Sequence, residues 1–93
     1  MKVLALAGYR GWRSYHAPDN RPGRNGRVQT VTRGWPDLAL VRDDRLLFAE
    51  LKAEKGRLRP GQQEWLDALA QVPGVEVFIW RPSDWPAVEA ALL

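Results

Sequence analysis

Three residues in this 93-residue chain have the types and spacing to form a reactive ionic site: Asp37, Glu50 and Lys52. Glu50 and Lys52 end the run Leu46-Leu47-Phe48-Ala49-Glu50-Leu51-Lys52. Side chains of a strand alternate, so Leu46, Phe48, Glu50 and Lys52 share one face and Leu47, Ala49 and Leu51 the other. Both faces are apolar up to Ala49, which predicts a strand covered on both sides. A carboxylate and an amine then follow on one face, where burial costs several kcal/mol unless the charges are paired. On these residues alone, a local Glu–Lys pair at an exposed strand end remains an alternative.

Asp37 narrows the choice. Gly34-Trp35-Pro36-Asp37 leads into Leu38-Ala39-Leu40-Val41, a second apolar strand with Pro36 near its start, where a missing N–H is tolerated. Arg42-Asp43-Asp44-Arg45 is a polar turn, so the two strands are predicted to form an antiparallel hairpin. A turn centred on Asp43-Asp44 sets Asp37 opposite Glu50. Opposed residues point to one face with Cβ atoms about 4.5–5.5 Å apart. Two carboxylates so close repel unless a cation lies between them, and oxygen ligands suit Mg²⁺ or Mn²⁺ rather than zinc.

The remaining elements must position this end of the hairpin. Lys2–Ala7 reads as the last turns of a helix closed by Gly8. Gly11–Ala17 reads as a strand with Trp12, Ser14 and His16 on one side; the single histidine, His16, precedes a polar loop and is a candidate accessory residue. Pro18–Gly34 is a long loop holding Arg21, Arg24, Arg27 and Arg33, with Val28–Thr32 a short strand inside it. Lys55, Arg57 and Arg59 follow the hairpin in a second basic loop.

Pro60 opens a helix to about Gln71 with an apolar stripe of Trp65, Leu66, Leu69 and Val72. Gln62 falls in the middle of that stripe, either still in solvent at the helix start or reaching Asp37, Glu50 and Lys52. Val75–Trp80 has high β propensity and apolar residues on both faces, which predicts a strand inside the sheet. Ser83 is placed as the cap of a last helix burying Trp85, Val88, Ala91 and Leu92.

Composition sets limits. Ninety-three residues, 45% apolar, give one small domain, 1–93. The absence of cysteine excludes disulfides and a thiolate zinc site. No apolar run nears the roughly 20 residues that span a bilayer, and the short apolar start is a poor signal peptide, so a cytoplasmic protein is expected. Residues 1–36 carry seven Lys or Arg against a single Asp, whereas residues 37–93 carry seven basic against ten acidic side chains. That asymmetry points to a polyanionic partner, most simply nucleic acid. The basic loops track phosphates through Arg21, Arg24, Arg27, Arg33, Lys55, Arg57 and Arg59. No Ser–His–Asp or Cys–His arrangement and no phosphate-cradling glycine loop offers another chemistry.

Gly34-Trp35-Pro36-Asp37-Leu38, Glu50-Leu51-Lys52 and Lys55-Gly56-Arg57-Leu58-Arg59-Pro60-Gly61-Gln62 together resemble the VRR-NUC family of the PD-(D/E)XK nuclease superfamily, as does His16-Ala17-Pro18-Asp19-Asn20. The resemblance covers about Gly11 to Trp80. It implies an α/β, restriction-endonuclease-like fold: a central mixed β-sheet whose hairpin carries the active site, flanked by helices. It implies that Asp37, Glu50 and the carbonyl of Leu51 hold Mg²⁺ or Mn²⁺, that Lys52 orients the attacking water, and that Gln62 supports the site. It further implies a DNA endonuclease acting on branched DNA, often as a homodimer. The family also carries a Glu on its first helix, and the segment before Gly8 has none. A binding module that kept the fold without cleavage is therefore the alternative, and a basic module docking an acidic protein a third.

Overall fold

A computed structural model describes residues 1–18 and 34–93. Helix α1 (Lys2–Tyr9) leads to strand β1 (Arg13–His16); β2 (Leu38–Arg42) and β3 (Arg45–Leu51) form the hairpin. Helix α2 (Pro60–Ala70), β4 (Val75–Trp80), a 3₁₀ turn (Pro82–Asp84) and α3 (Trp85–Ala91) complete the order. The four strands lie in the order β1-β2-β3-β4, antiparallel except for β3 and β4, which run parallel. This is the α/β layout expected, a mixed sheet flanked by helices, consistent with a restriction-endonuclease-like fold.

Alternation along the hairpin divides the core into two layers. Leu38, Leu40, Leu47 and Ala49 are fully buried on one face, against Val3 and Ala7 of α1 and Val88 of α3, with Leu92 beside them. Each leucine buried there contributes about 1.5–3 kcal/mol. On the other face Phe48 lies under Trp35, whose ring stands edge-on to Phe48 at 5.4 Å and to Trp65 of α2 at 4.8 Å. Tyr15, Val41 and Ile79, on that second face, are exposed among the described residues.

The turn end of the hairpin is tied down. Asp43 takes φ 53°, a left-handed conformation that Asp tolerates better than most residues, and so closes a two-residue turn between Arg42 and Arg45. The flanking guanidiniums sit over Trp12 at 4.5 Å and 4.9 Å. Arg45 also grips Glu76 through two hydrogen bonds of 2.8 Å and 2.7 Å. That pairing raises the Arg45 pKa and lowers that of Glu76.

Several expectations need correction. Helix α1 runs through Gly8 to Tyr9, and the left-handed residue after it is Gly11, φ 83°. Strand β4 is an edge strand among the described residues: Phe78 and Trp80 pack on one face with Val88 and Leu92, while the other face meets α2 and leaves Ile79 exposed. Val72 is exposed, because it lies past the end of α2. Ser83 does not cap the last helix: Pro82 starts a 3₁₀ turn, Asp84 stands at the helix start, and Ser83 turns toward Glu54. The proposed strand Val28–Thr32 lies outside the described residues. No helix among the described residues is long and apolar enough to cross a membrane.

Candidate active site

The hairpin register fixes the geometry. Leu38 pairs with Ala49, so one residue further out Asp37 stands opposite Glu50. Pro36, fully buried, anchors the chain just before Asp37. The N–H of Ala17 donates to the Asp37 carbonyl at 2.8 Å and holds the end of β1 against the same point. The Asp37 carboxylate reaches across the hairpin, where its Oδ2 accepts the Leu51 N–H at 2.8 Å.

Glu50 is only 2% exposed, the one buried charged residue among those described. Its Oε1 accepts a hydrogen bond from Gln62 Nε2 at 3.2 Å. Its Oε2 is buried with no hydrogen-bond partner among the described residues. Burial raises the Glu50 pKa to about 8, aided by the neighbouring Asp37 carboxylate and opposed by the positive charge of Lys52. A carboxyl shifted in this direction favours its protonated form near neutral pH, and a cation bound to it would displace the proton.

Lys52 follows the last residue of β3, and its N–H donates to the Trp80 carbonyl at 2.9 Å, which binds it to the end of β4. Gln62 works in two directions: its Oε1 accepts the Arg59 N–H at 2.9 Å while its Nε2 holds Glu50. The start of α2 is thereby tied to the hairpin. Gly34 brings that helix close. A Cβ on Gly34 would clash with the Gly61 carbonyl group and lie 2.7 Å from the Gln62 nitrogen. The missing side chain at Gly34, rather than a turn alone, lets Gln62 approach Glu50.

The structure thus gathers Asp37, Glu50, Leu51, Lys52 and Gln62 at one end of the sheet. His16 is not part of the group: it pairs with Leu38, on the face opposite the two carboxylates. Lys55, Arg57 and Arg59 are exposed on the loop between Lys52 and α2. Arg21, Arg24, Arg27 and Arg33 lie outside the described residues. The first turn of α1 carries no acidic residue. Met1, Lys2 and Val3 border a cavity of about 300 Å³ shared with Lys52, Trp80 and Arg81. That turn therefore faces the Lys52 end of the sheet with a lysine and no carboxylate.

The donor set fits a hard divalent cation. No cluster of three or more His, Asp or Glu exists among the described residues. One or two carboxylates, completed by carbonyl, water and phosphate oxygens, are what Mg²⁺ ordinarily takes. The unpartnered Glu50 Oε2 is the oxygen that such an ion would satisfy.

The VRR-NUC domain profile matches residues 16–83, from the end of β1 through the hairpin, α2 and β4. The chain belongs to the VRR-NUC family. No curated protein and no solved structure matches it. A VRR-NUC domain is a nuclease-type module that acts on DNA, and the match spans Asp37, Glu50, Lys52 and Gln62. Sequence reasoning missed Gly34 as a contact residue, and it missed Arg81 and Glu54. No local pattern marks them, because their partners lie 25 or more residues away.

Proposed function

We propose that residues 1–93 form one VRR-NUC unit that hydrolyses phosphodiester bonds in DNA as an Mg²⁺- or Mn²⁺-dependent endonuclease, on branched or structured substrates such as flaps and four-way junctions. The observation that carries this reading is the buried, unpartnered Oε2 of Glu50 opposite Asp37. Asp37, Glu50 and the Leu51 carbonyl would hold the ion. Bound there, it would lower the pKa of a water and offset charge developing at phosphorus. Gln62 keeps Glu50 Oε1 engaged and so aims the carboxyl. The Lys52 ammonium orients the attacking water and counters phosphate charge. The exposed Lys55, Arg57 and Arg59, with the arginines of residues 19–33, follow the DNA backbone. Two copies in a symmetric homodimer would supply a site for each strand.

A second reading, a DNA-binding relative without cleavage, is favoured by the carboxylate-free first turn of α1. One experiment separates the two. Labelled duplex, single strand, flap and four-way junction are incubated with Mg²⁺, Mn²⁺ or EDTA, using the unmodified protein and Lys52→Ala. Metal-dependent cutting that drops by about 10²-fold or more in Lys52→Ala is the expected result. Salt-sensitive binding with no cutting under any metal would replace the nuclease by the binding module.

A further inference from the structure

The turn that follows Lys52 is held by contacts that the chemistry above does not use. Arg81 Nη1 donates to the Ala53 carbonyl at 2.8 Å and to the Gly56 carbonyl at 2.8 Å. The Gly56 N–H donates to the same Ala53 oxygen at 3.0 Å, so residues 53–56 form a turn closed around one guanidinium. From the other side the Glu54 carboxylate accepts the Ser83 N–H and, at 2.9 Å, the Ser83 hydroxyl. Arg81 is itself fixed, for its N–H donates to Asp84 Oδ2 at 2.8 Å. It directly follows Trp80, whose carbonyl takes the Lys52 N–H. The end of β4 and the 3₁₀ turn therefore grip the chain at Lys52, Ala53, Glu54 and Gly56 in succession.

We propose that Arg81, together with the separate Glu54–Ser83 contact, is a positioning residue that locks the 53–56 turn and so sets Lys52 and the basic loop for the reaction. This inference rests on the nuclease reading. Arg81 acts through carbonyl groups rather than through phosphate, and Glu54 serves the same end despite its negative charge. The two opposite charges make the idea testable. A residue that merely attracts DNA would be helped by the loss of Glu54; a clasp would be broken by it.

The experiment compares the full chain with Arg81→Ala and Glu54→Ala. It measures kcat and KM on the substrate that the unmodified protein cuts best, DNA affinity against salt, and hydrogen exchange at the Gly56 amide. Both variants are expected to lose about tenfold or more in kcat, since small misplacement of a reacting group is costly. In both, the Gly56 amide should exchange faster. If Arg81 instead touches phosphate, Arg81→Ala lowers the salt slope by about one while Glu54→Ala binds DNA more tightly at full kcat, and the proposal is overturned. Normal kcat in both variants also overturns it, with the nuclease reading intact. An unmodified protein that cuts nothing removes the reading beneath it. Should Arg81→Ala melt below the assay temperature, Glu54→Gln and Ser83→Ala carry the same readouts.

Discussion

Glu50 concentrates the physical conflict in this molecule. Its carboxyl is buried beside Asp37, and its pKa stands at about 8 against an ordinary value of 4.5. The folded state thus holds a proton that the unfolded chain releases as the pH passes 4.5. The stabilisation from that proton is complete below 4.5 and is lost as the pH rises through about 8. In EDTA, the melting temperature of the unmodified protein should therefore fall between these pH values, and that of Glu50→Gln should change much less. If Glu50 is a ligand as proposed, Mg²⁺ or Mn²⁺ at the upper pH should restore the unmodified protein alone, because the ion would bind the ionised carboxylate. Thermal melts across this range check the point; equal slopes for both proteins would show that Glu50 does not drive the effect. The Asp37–Glu50 pairing was legible in the sequence on the condition of a turn centred on Asp43-Asp44, which the Arg42–Arg45 pairing meets. The unpartnered oxygen was not, since it depends on which way Gln62 points.

At the scale of elements, α2 is docked by an absence. Gly34 has φ 85° and lies against the backbone of Gly61 and Gln62. Gly34→Ala would put a methyl group into that backbone and force a left-handed conformation on an L residue, the latter alone costing roughly 1–2 kcal/mol. Urea unfolding is expected to show a loss of about 2 kcal/mol or more. Cleavage should fall along with it, because Gln62 would be pushed from Glu50. Unchanged stability in this variant would mean that α2 can shift freely, and the hairpin–helix spacing would then not matter. The helix itself followed from a 100° period, which set Gln62 on the apolar stripe but left open whether it stayed in solvent or reached Glu50. The contact at Gly34 did not, because a glycine in a loop carries no sign of what lies opposite it. The same holds for the turn residues Arg42 and Arg45. Their sequence marks a polar turn, yet both cover Trp12, which lies 30 or more residues away in the chain.

At the largest scale, these 93 residues make a small unit for work on a duplex. Its described part extends 42 × 28 × 27 Å, and all the gathered site residues lie at one end of the sheet. On the nuclease reading, a single copy would address one strand at a time. Sedimentation at working concentrations with DNA present should report a dimer, and a strict monomer under those conditions would leave paired cutting without a mechanism. The charge asymmetry was fully legible, because it depends on composition alone. The partner surface was not, because exposed residues carry no period.

The hydrogen bond from Ala17 to Asp37 bears on how such a protein can diversify. It pins together the two ends of the segment that joins β1 to β2, beside the carboxylates and away from the main core. A substitution in β1 that shifts Ala17 therefore shifts the Asp37 backbone with it. The first strand is in effect a lever on the carboxylates, from which the site can be retuned without touching a residue inside it.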